Sequence, residues 1–310
     1  MASTMQQEYS DGLTTAGSTC EPLCAQPLSD AEAPEVLDFL AARPIHTVFM
    51  ASLIRDNGVV SSLNRGSFFG FRSNGGTLEG VALLGHATLI ETESTECIKA
   101  FAHLARSYSP VHLIRGEQEK IAAFWHYFTG GENKARLLCG ELLLQLKAIP
   151  AKVAAVSGLR LATIADLETI VNVNASLACN ESGINPLERD PQGFRSRAAR
   201  RIAKGRVWVW IENQRLLYKT DVVAETPQAI YLEGVYVHPD HRFLGFGRRC
   251  ISQVATSLLE RTKTICLTVN EKAGGTQRFY QQAGYELVCR YDSIYLDNPT
   301  PTPAPQHKKQ

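Results

Sequence analysis

The 310-residue sequence lacks several features that mark common protein classes. It has no apolar run approaching about 18 residues, which excludes an ordinary transmembrane helix. Its first residues, Met1 to Tyr9, contain neither a basic segment nor an apolar core, so we expect no secretory signal and a cytoplasmic location. Lysine and arginine number 32 against 31 acidic residues, and a net charge of +1 gives no general attraction to nucleic acid. These absences predict a soluble globular protein without a membrane or nucleic-acid partner.

The cysteines do not form a metal-binding framework. There are eight, and most are scattered among apolar residues, which is typical of reduced core thiols. Cys20 and Cys24 form one C-x-x-x-C pair, but no second pair follows at zinc-finger spacing. We therefore expect no metal site, and we interpret these two thiols as part of an N-terminal tail.

Composition divides the chain into two tails and two larger segments. Residues 1–29 are polar and aperiodic and 298–310 are rich in proline, so we expect both ends to be flexible. The chain is too long for one ordinary core, and a break near Ile149 and Pro150 indicates a linker. We predict an N-terminal domain at 30–150 and a C-terminal domain at 157–297.

Hydrophobic periodicity gives both segments a similar order of elements, which predicts an α/β fold. In the first segment we predict helices at 31–42, 45–56, 94–107 and 117–128, with strands at 67–72, 77–85, 87–91, 111–114 and 135–146. In the second segment we predict helices at 165–178, 194–203, 247–261 and 276–283, with strands at 160–163, 207–212, 216–223, 230–237, 265–269 and 285–296. Asn213-Gln214 is a suitable turn for a hairpin between two of these strands.

The most informative segment joins the strand at 230–237 to the helix that follows. It carries Arg242-x-x-Gly245-x-Gly247 directly at the helix start. Glycines allow a ligand to approach the backbone closely, and the first N–H groups of a helix have no intrahelical partner and attract anions. A Rossmann fingerprint would need a third small residue where Cys250 stands, and a Walker loop would need Gly-Lys-Ser/Thr. The segment therefore predicts a pyrophosphate site of another kind.

A second segment, Arg278-Phe-Tyr280-Gln-Gln-Ala-Gly284-Tyr285, accompanies this turn. Together the two segments resemble the GNAT superfamily of acyl-CoA-dependent N-acyltransferases over about residues 158–296. The resemblance implies a GNAT fold, a mixed and mostly antiparallel sheet flanked by helices, in which the strand before the turn and the next strand splay apart. The first segment lacks the glycine turn but looks like a degenerate GNAT-like domain, as in bacterial proteins that pair a silent copy with an active one. We expect it to be a scaffold or an acceptor-binding domain.

The resemblance also implies a site for acetyl-CoA as cosubstrate, without a metal. The pantetheine would pair with free backbone at Val235 and Val237, and a backbone N–H near Val237 would polarise the thioester carbonyl. The pyrophosphate would lie against the turn, whose residues are Arg242, Phe243, Leu244, Gly245, Phe246, Gly247 and Arg248. Arg248 and Arg249 either contact the phosphates of CoA or belong to a solvated helix face.

Tyr280 and Glu233 are the candidate catalytic residues. Tyr280 matches the family tyrosine that faces the sulfur of CoA, although it could instead pack beside Phe279. In a regular strand Glu233 and Val235 share one face. The sequence around Glu233 also resembles a strand of some aminoglycoside 6'-acetyltransferases, whose glutamate binds the cationic acceptor. Glu233 would then be a base or an acceptor-binding residue, or else a structural salt-bridge partner.

Three further polar residues lie near these positions. We expect Glu181 in the loop between the first two helices of the second segment, where GNAT acceptors commonly bind, although an ordinary solvated acid is the alternative. We interpret His238 and His241 as surface histidines because neither has a recognisable triad partner.

The sequence thus predicts an acetyl-CoA-dependent N-acetyltransferase in which a primary amine, in a small molecule or a peptide, attacks the thioester directly. Two alternatives stay open, an acyl-CoA-binding regulatory module and a tandem GNAT transferase that uses aminoacyl-tRNA. A homodimer is also left open.

Overall fold

The computed structural model describes residues 25–107, 111–132, 135–149 and 154–297. Cys20, Cys24, most of the predicted N-terminal tail and the whole predicted C-terminal tail lie outside the described residues. None of the helices in the described ranges combines the length and the apolarity needed to cross a membrane.

The first repeat of the fold runs from 26 to 146 and has six strands and four α-helices within the described residues. Its elements are β1 (Gln26–Pro27), α1 (Ala33–Ala41), α2 (Pro44–Asn57), β2 (Gly66–Arg72), β3 (Leu78–Gly85), β4 (Ala87–Thr92), α3 (Thr95–Ser107), β5 (Leu113–Glu117), α4 (Gln118–Thr129) and β6 (Leu137–Leu146). Each predicted helix and strand of this segment is present, with bounds that differ by a few residues.

The second repeat runs from 159 to 295 and follows the same plan. Its elements are β7 (Leu159–Leu161), α5 (Leu167–Ser182), α6 (Pro186–Arg189), α7 (Pro191–Ala203), β8 (Val207–Glu212), β9 (Arg215–Glu225), β10 (Ile230–Val237), α8 (Phe246–Leu259), β11 (Ile265–Asn270), α9 (Gly274–Gln282) and β12 (Glu286–Tyr295). The predicted hairpin turn is present, because Asn213 and Gln214 have φ angles of 49° and 62°.

All twelve strands of the described residues belong to one sheet, in the order β1-β2-β3-β4-β5-β12-β6-β11-β10-β9-β8-β7. The order is nearly a mirror image about its centre, as two related repeats would give. The exception is that the last strand of each repeat has exchanged places with that of the other. Strand β6 of the first repeat pairs with β11 of the second, and β12 of the second pairs with β5 of the first. Each repeat therefore completes the sheet of the other, and the two share a central antiparallel pair.

Helices cover both faces of the second repeat's half of the sheet. On one face α8 contributes a buried apolar stripe that packs with strand residues such as Ile230 and Leu232. On the other face Tyr231 packs with residues of α2 from the first repeat, among them Val48, and Tyr236 packs with α5. This division defines an α8 face and an α2/α5 face.

Both repeats open at the same place in the sheet. Strand β10 pairs with β11 in parallel only at Ile230–Ile265 and Tyr231–Cys266, and the strands then separate. Strand β4 likewise pairs with β5 only at Ala87–Leu113 and Thr88–Ile114. The splay that the sequence predicts in the second repeat is confirmed, and the first repeat contains its counterpart.

Candidate active site

Strand β10 contains a bulge at the point where it leaves β11. Glu233 pairs with Asp221 and Tyr236 pairs with Lys219, so β10 has one residue more than β9 across this interval. Gly234 lies inside the bulge with a φ angle of +60°, a conformation that glycine adopts without steric cost.

The bulge corrects the expectation that Glu233 and Val235 share a face. Glu233 lies opposite Asp221, whose carboxylate contacts α5 and α7, and directly paired residues point to the same face. Val235 packs in the α8-face core with Leu232. The extra residue therefore separates the carboxylate of Glu233 on one face from the residues that line the splay on the other.

The backbone of Val235 and Val237 is directed toward the open splay. The N–H of His238 donates to the carbonyl of Leu217 on β9 at 2.8 Å, so the backbone groups of Val237, one residue earlier, point away from β9. The backbone groups of Val235, two residues before Val237, point in the same direction. Because β11 pairs only as far as Cys266, these groups have no strand partner, as the sequence prediction of a pantetheine site requires.

The glycine turn leaves the start of α8 open. Gly245 precedes the helix with a φ angle of +78°, and no side chain caps the first N–H groups. A Cβ atom at Gly245 would meet nothing within 4 Å, whereas one at Gly247 would lie 2.9 Å from Cγ2 of Val237 and 3.1 Å from Phe279. Gly245 thus keeps the anion-binding end free, and Gly247 allows α8 to approach β10 and α9.

Phe243 and Leu244 project into solvent from this turn. Phe243 has a φ angle of +62°, which is rare for a bulky residue, and its side chain is fully exposed. Phe246, at the first position of α8, packs instead on Trp210 with 5.4 Å between ring centroids. The turn therefore has an apolar outer edge beside the open helix end.

The arginines near the turn have different partners. Arg242 donates from Nε to the carbonyl of Val237 at 3.0 Å. Arg249 donates to the carbonyls of Ala154 and Ala155 at 3.1 and 2.8 Å, which ties the segment before β7 to α8. Arg248 is exposed on the first turn of α8, so of the two helix arginines it is the one available to an anion.

The two histidines are half-buried, which corrects the interpretation of them as surface residues. His238 accepts from the backbone N–H of Asp240 at 3.3 Å and lies 3.2 Å from Arg215. His241 contacts the rings of Trp210 and Phe246. They belong to an aromatic cluster that supports the turn.

Tyr280 lies beneath the splay on the α8 face. It is buried, packs edge-on against Phe279 and Tyr285, and belongs to the core that includes Val235 and Val237. Burial raises the pKa of its phenol, so the group stays protonated at neutral pH. Within the described part of the chain its hydroxyl has no hydrogen-bond partner. Tyr280 therefore packs beside Phe279, as the alternative interpretation of the sequence holds. Its hydroxyl is also free to donate a hydrogen bond.

Glu181 and Glu233 approach each other on the α2/α5 face. Glu181 lies in the last turn of α5 rather than in the loop after it, which corrects the predicted position. The Tyr295 hydroxyl donates to its Oε1 at 3.3 Å. Burial and the neighbouring charge of Glu233 raise the pKa of Glu181. Neither carboxylate has a salt bridge within the described residues, so both are available to a cation.

A buried network that was not predicted from the sequence lies at the vertex of the splay. Arg115 from β5 donates to the hydroxyl of Tyr231 at 2.7 Å and pairs with Glu141 of β6 at 3.1 Å. Glu141 also accepts from Thr268 at 3.0 Å and from Ser293 at 2.6 Å. A charged residue in each of the strands β5 and β6 was the available signal, but only the strand exchange brings them to this place.

A second missed network supports the bulge. Lys219 is 0% exposed, and its Nζ donates to Oδ1 of Asp221 at 2.6 Å and to the carbonyl of Gly234 at 3.1 Å. Asp221 accepts in addition from Arg201 at 2.8 Å and Asn174 at 3.2 Å. Burial lowers the pKa of Lys219, while the two cations outweigh burial and lower that of Asp221. The Lys-Thr-Asp interruption of an apolar strand was its signal in the sequence.

Comparison with known families identifies the second repeat. Residues 203–287 match the family described as acetyltransferase (GNAT) domain, and this match includes β10, the glycine turn, α8 and Tyr280. The second repeat is a GNAT acyltransferase domain. Comparison with curated proteins gives no significant match over the sequence.

Solved structures share the fold of nearly the whole chain. A Drosophila protein is similar with a TM-score of 0.65 and 13% identity, covering 89% of this chain and 99% of its own. A tandem GNAT protein from the clavulanic acid biosynthesis pathway has a TM-score of 0.54 and 14% identity, with 87% and 97% covered. A GNAT-family acetyltransferase from Colwellia psychrerythraea has a TM-score of 0.53 and 12% identity, with 88% and 99% covered. The chain therefore has a tandem GNAT fold.

The first GNAT-like repeat has filled its own splay with ion pairs. Arg43 donates to Glu91 at 2.9 Å and to Glu117 at 2.7 Å, and Lys120 lies 3.0 Å from Glu91. Glu93 follows directly at the end of β4, where the GNAT domain has its anion-binding turn. Carboxylates at this position would repel a pyrophosphate; that the first repeat is a silent copy stays a prediction.

One group near this network has the residue types of a metal site. Ligand atoms of His46, Glu117 and Cys289 lie within 4.8 Å of one another. Both oxygens of Glu117 are already engaged by Arg43, and Lys120 is 3.1 Å away. The positive charges of Arg43 and Lys120 would repel a metal cation at this place. The cluster is therefore better described as part of the ion-pair network.

Proposed function

We propose that the GNAT domain transfers an acetyl group from acetyl-CoA to a primary amine by direct attack of the amine on the thioester. The observation that carries this proposal is the backbone of Val235 and Val237, which faces the splay without a β11 partner beside an uncapped helix start, with the carbonyl of Val237 accepting from the Arg242 side chain. Backbone groups of this kind suit an amide-bearing pantetheine, and the open end of α8 suits a pyrophosphate.

Bound acetyl-CoA supplies an activated acyl group. In the proposed arrangement Val235 and Val237 would hold the pantetheine, and the N–H groups at the start of α8 would hold the pyrophosphate. Arg242, Phe243, Leu244, Gly245, Phe246, Gly247 and Arg248 would form the remaining contacts. The N–H of Val237 would stabilise negative charge on the carbonyl oxygen, because a fixed backbone donor needs no reorganisation as that charge develops.

Tyr280 would donate a proton to the departing thiolate. Its phenol is protonated at neutral pH because burial raises its pKa. Its unpartnered hydroxyl lies in the same core as Val235 and Val237. A fixed proton donor of this kind typically contributes about 10²–10⁴-fold to rate.

Glu181 and Glu233 would bind the amine on the opposite face. Two carboxylates without salt-bridge partners attract an ammonium group, and one of them would then accept its proton. The raised pKa of Glu181 makes that carboxylate a stronger base than a glutamate with the ordinary pKa. A cationic small molecule or peptide amine fits this pair.

A thiol-release assay with acetyl-CoA against a pooled amine library, followed by mass spectrometry of the products, tests the proposal. We expect thiol release with at least one amine and an acetylated product 42 mass units heavier, about the mass that an acetyl group adds in place of hydrogen. Acetyl-CoA binding without thiol release for any amine would indicate a regulatory module instead. Binding of tRNA at moderate salt would favour the aminoacyl-tRNA alternative.

A matched pair of glycine variants tests the cofactor site. Gly245→Val should abolish acetyl-CoA binding in calorimetry, because its side chain would occupy the open space before α8. Gly76→Val is the control, since Gly76 has a similar φ angle of +83° with nothing within 4 Å but lies in the first repeat. Equal affinities for the two variants would show that the turn does not bind the cofactor.

A further inference from the structure

Arg115 belongs to the first repeat, yet its guanidinium lies at the vertex of the second repeat's splay. Its Nη2 donates to the Tyr231 hydroxyl at 2.7 Å and also contacts Oγ1 of Thr268. Its side chain is 13% exposed. The rings of Phe49 and Tyr231 lie 6.0 and 5.6 Å from its guanidinium carbon. The position is therefore enclosed on several sides.

The residues that Arg115 joins determine where β10 and β11 separate. Tyr231 is the last residue of β10 that pairs with β11. Beyond it, the N–H of Thr268 donates to the Tyr231 hydroxyl at 3.1 Å, and the two hydroxyls lie 2.8 Å apart. A side chain thus replaces the missing strand pairing, and Arg115 holds that side chain.

The charge of Arg115 extends to the acceptor face. Glu141 partly balances it through a salt bridge of 3.1 Å, and that carboxylate is 6% exposed. Glu181 and Glu233, which have no salt bridge within the described residues, both interact electrostatically with Arg115. The guanidinium is consequently a positive charge that acts on both candidate acceptor carboxylates.

We propose that Arg115 is a positioning residue of the proposed active site, which fixes the vertex of the splay through Tyr231 and Thr268 and places a positive charge on the side of Glu181 and Glu233, where a cationic amine would bind. This inference rests on the proposed function. It gives the first repeat a role in transfer beyond that of a scaffold, because the exchanged sheet places β5 and β6 beside the second repeat's site.

The ionisation of Glu181 depends on groups from every element around it. Glu233 of β10 and Glu141 of β6 oppose its negative charge, while Arg115 of β5 and the Tyr295 hydroxyl of β12 favour it. Arg136 lies close by as well, since its Nη1 donates to the carbonyl of Ser182 at 2.8 Å. Loss of the Arg115 charge removes the cation that favours ionised Glu181, so the pKa of Glu181 should rise.

The test uses the full chain and two variants of different kind. Arg115→Gln/Glu141→Gln removes both charges together, so that no buried carboxylate is left without its partner. Arg115→Lys keeps the positive charge but loses the planar fork that holds Tyr231 and Thr268 together. Arg72→Gln/Glu35→Gln is the control, because that pair, at 2.5 Å, lies in the first repeat away from the splay.

Two readouts separate positioning from stability. Titration followed by NMR of ¹³C-labelled glutamate carboxylates should show a higher pKa for Glu181 in the double variant, because Arg115 lowers that pKa more than Glu141 raises it. The acid limb of kcat/KM should move by a similar amount, with the amine KM raised about tenfold and the acetyl-CoA KM unchanged. Arg115→Lys should retain the titration but lower kcat.

A folded double variant whose carboxylate titration and amine KM both equal those of the control would overturn the inference. If the wild-type chain releases no thiol with any amine, the proposed function fails. The NMR titration would then still decide whether Arg115 controls the charge of these carboxylates.

Discussion

Replacement of Lys219 by methionine tests the bulge on which the site depends. Methionine has a similar length and no charge, so the change removes the hydrogen bonds to Asp221 and to the carbonyl of Gly234, which are 2.6 and 3.1 Å long. Lys219 is fully buried, and water cannot replace the lost donor. We expect β10 to lose part of the geometry that directs Val235 and Val237 toward the splay.

The magnitude follows from the partners that remain. A buried carbonyl without a donor costs about 1–3 kcal/mol. Breaking a buried ion pair costs about 3–5 kcal/mol when the partner is left alone, but Asp221 keeps Arg201 at 2.8 Å and Asn174 at 3.2 Å. We therefore expect a loss of about 3 kcal/mol in the free energy of unfolding.

Urea unfolding and acetyl-CoA calorimetry measure the two consequences. Lys204→Met is the control, because Lys204 is 42% exposed and its salt bridge to Asp56, at 3.1 Å, is of the kind that contributes at most about 1 kcal/mol. Acetyl-CoA affinity should fall about tenfold in Lys219→Met and not in the control, as expected when about 1.4 kcal/mol of binding free energy is lost. Equal unfolding midpoints and equal affinities in the two variants would refute the argument.

Three further predictions concern other parts of the molecule. Gly247→Ala should lower the free energy of unfolding by about 1–3 kcal/mol, since the new methyl group would lie 2.9 Å from Val237; an unchanged unfolding midpoint would contradict the close packing assigned to α8. Tyr280→Phe should lower kcat about 10²-fold with little change in acetyl-CoA affinity; an unaltered rate in the thiol-release assay would leave Tyr280 with packing alone. Burial would raise the pKa of Glu117, but the hydrogen bond from Arg43 and nearby cations lower it from 4.5 to about 2. The stability that this carboxylate contributes is thus present above pH 4.5 and lost as the pH falls toward 2. Measured by urea unfolding, the Glu117→Gln variant should lose less stability over that interval than the wild-type protein.

Local patterns in the sequence contained most of the fold and the elements of the proposed cofactor site. Helix and strand periodicity predicted the element order because each element buries one face. The glycine turn and the segment from Tyr280 to Gly284 were recognisable because their chemistry resides in neighbouring residues. Their proximity in the structure, with Tyr280 and Val237 in one core, agrees with the resemblance from which both were selected.

The acceptor side was less predictable because it depends on register and on distant pairings. The alternation of side chains along a regular strand predicts that Glu233 and Val235 lie on the same face of β10. Only the pairing with β9 shows the extra residue that puts them on opposite faces. Gly234 was the available hint, since glycine within a strand often marks a bulge. Glu181 was misplaced by a few residues because helix ends are the least certain part of such predictions.

The sequence by itself determined that two successive α/β repeats would form and that the second would carry a glycine turn at the start of a helix, since these features arise from short-range periodicity and backbone chemistry. Tertiary structure alone decided that β6 and β12 would exchange places. That exchange brings Arg115 to Tyr231 and Glu141 to Thr268, which are 116 and 127 residues apart in the sequence. No local pattern encodes it, because either strand could satisfy the hydrogen bonds and apolar contacts of either position.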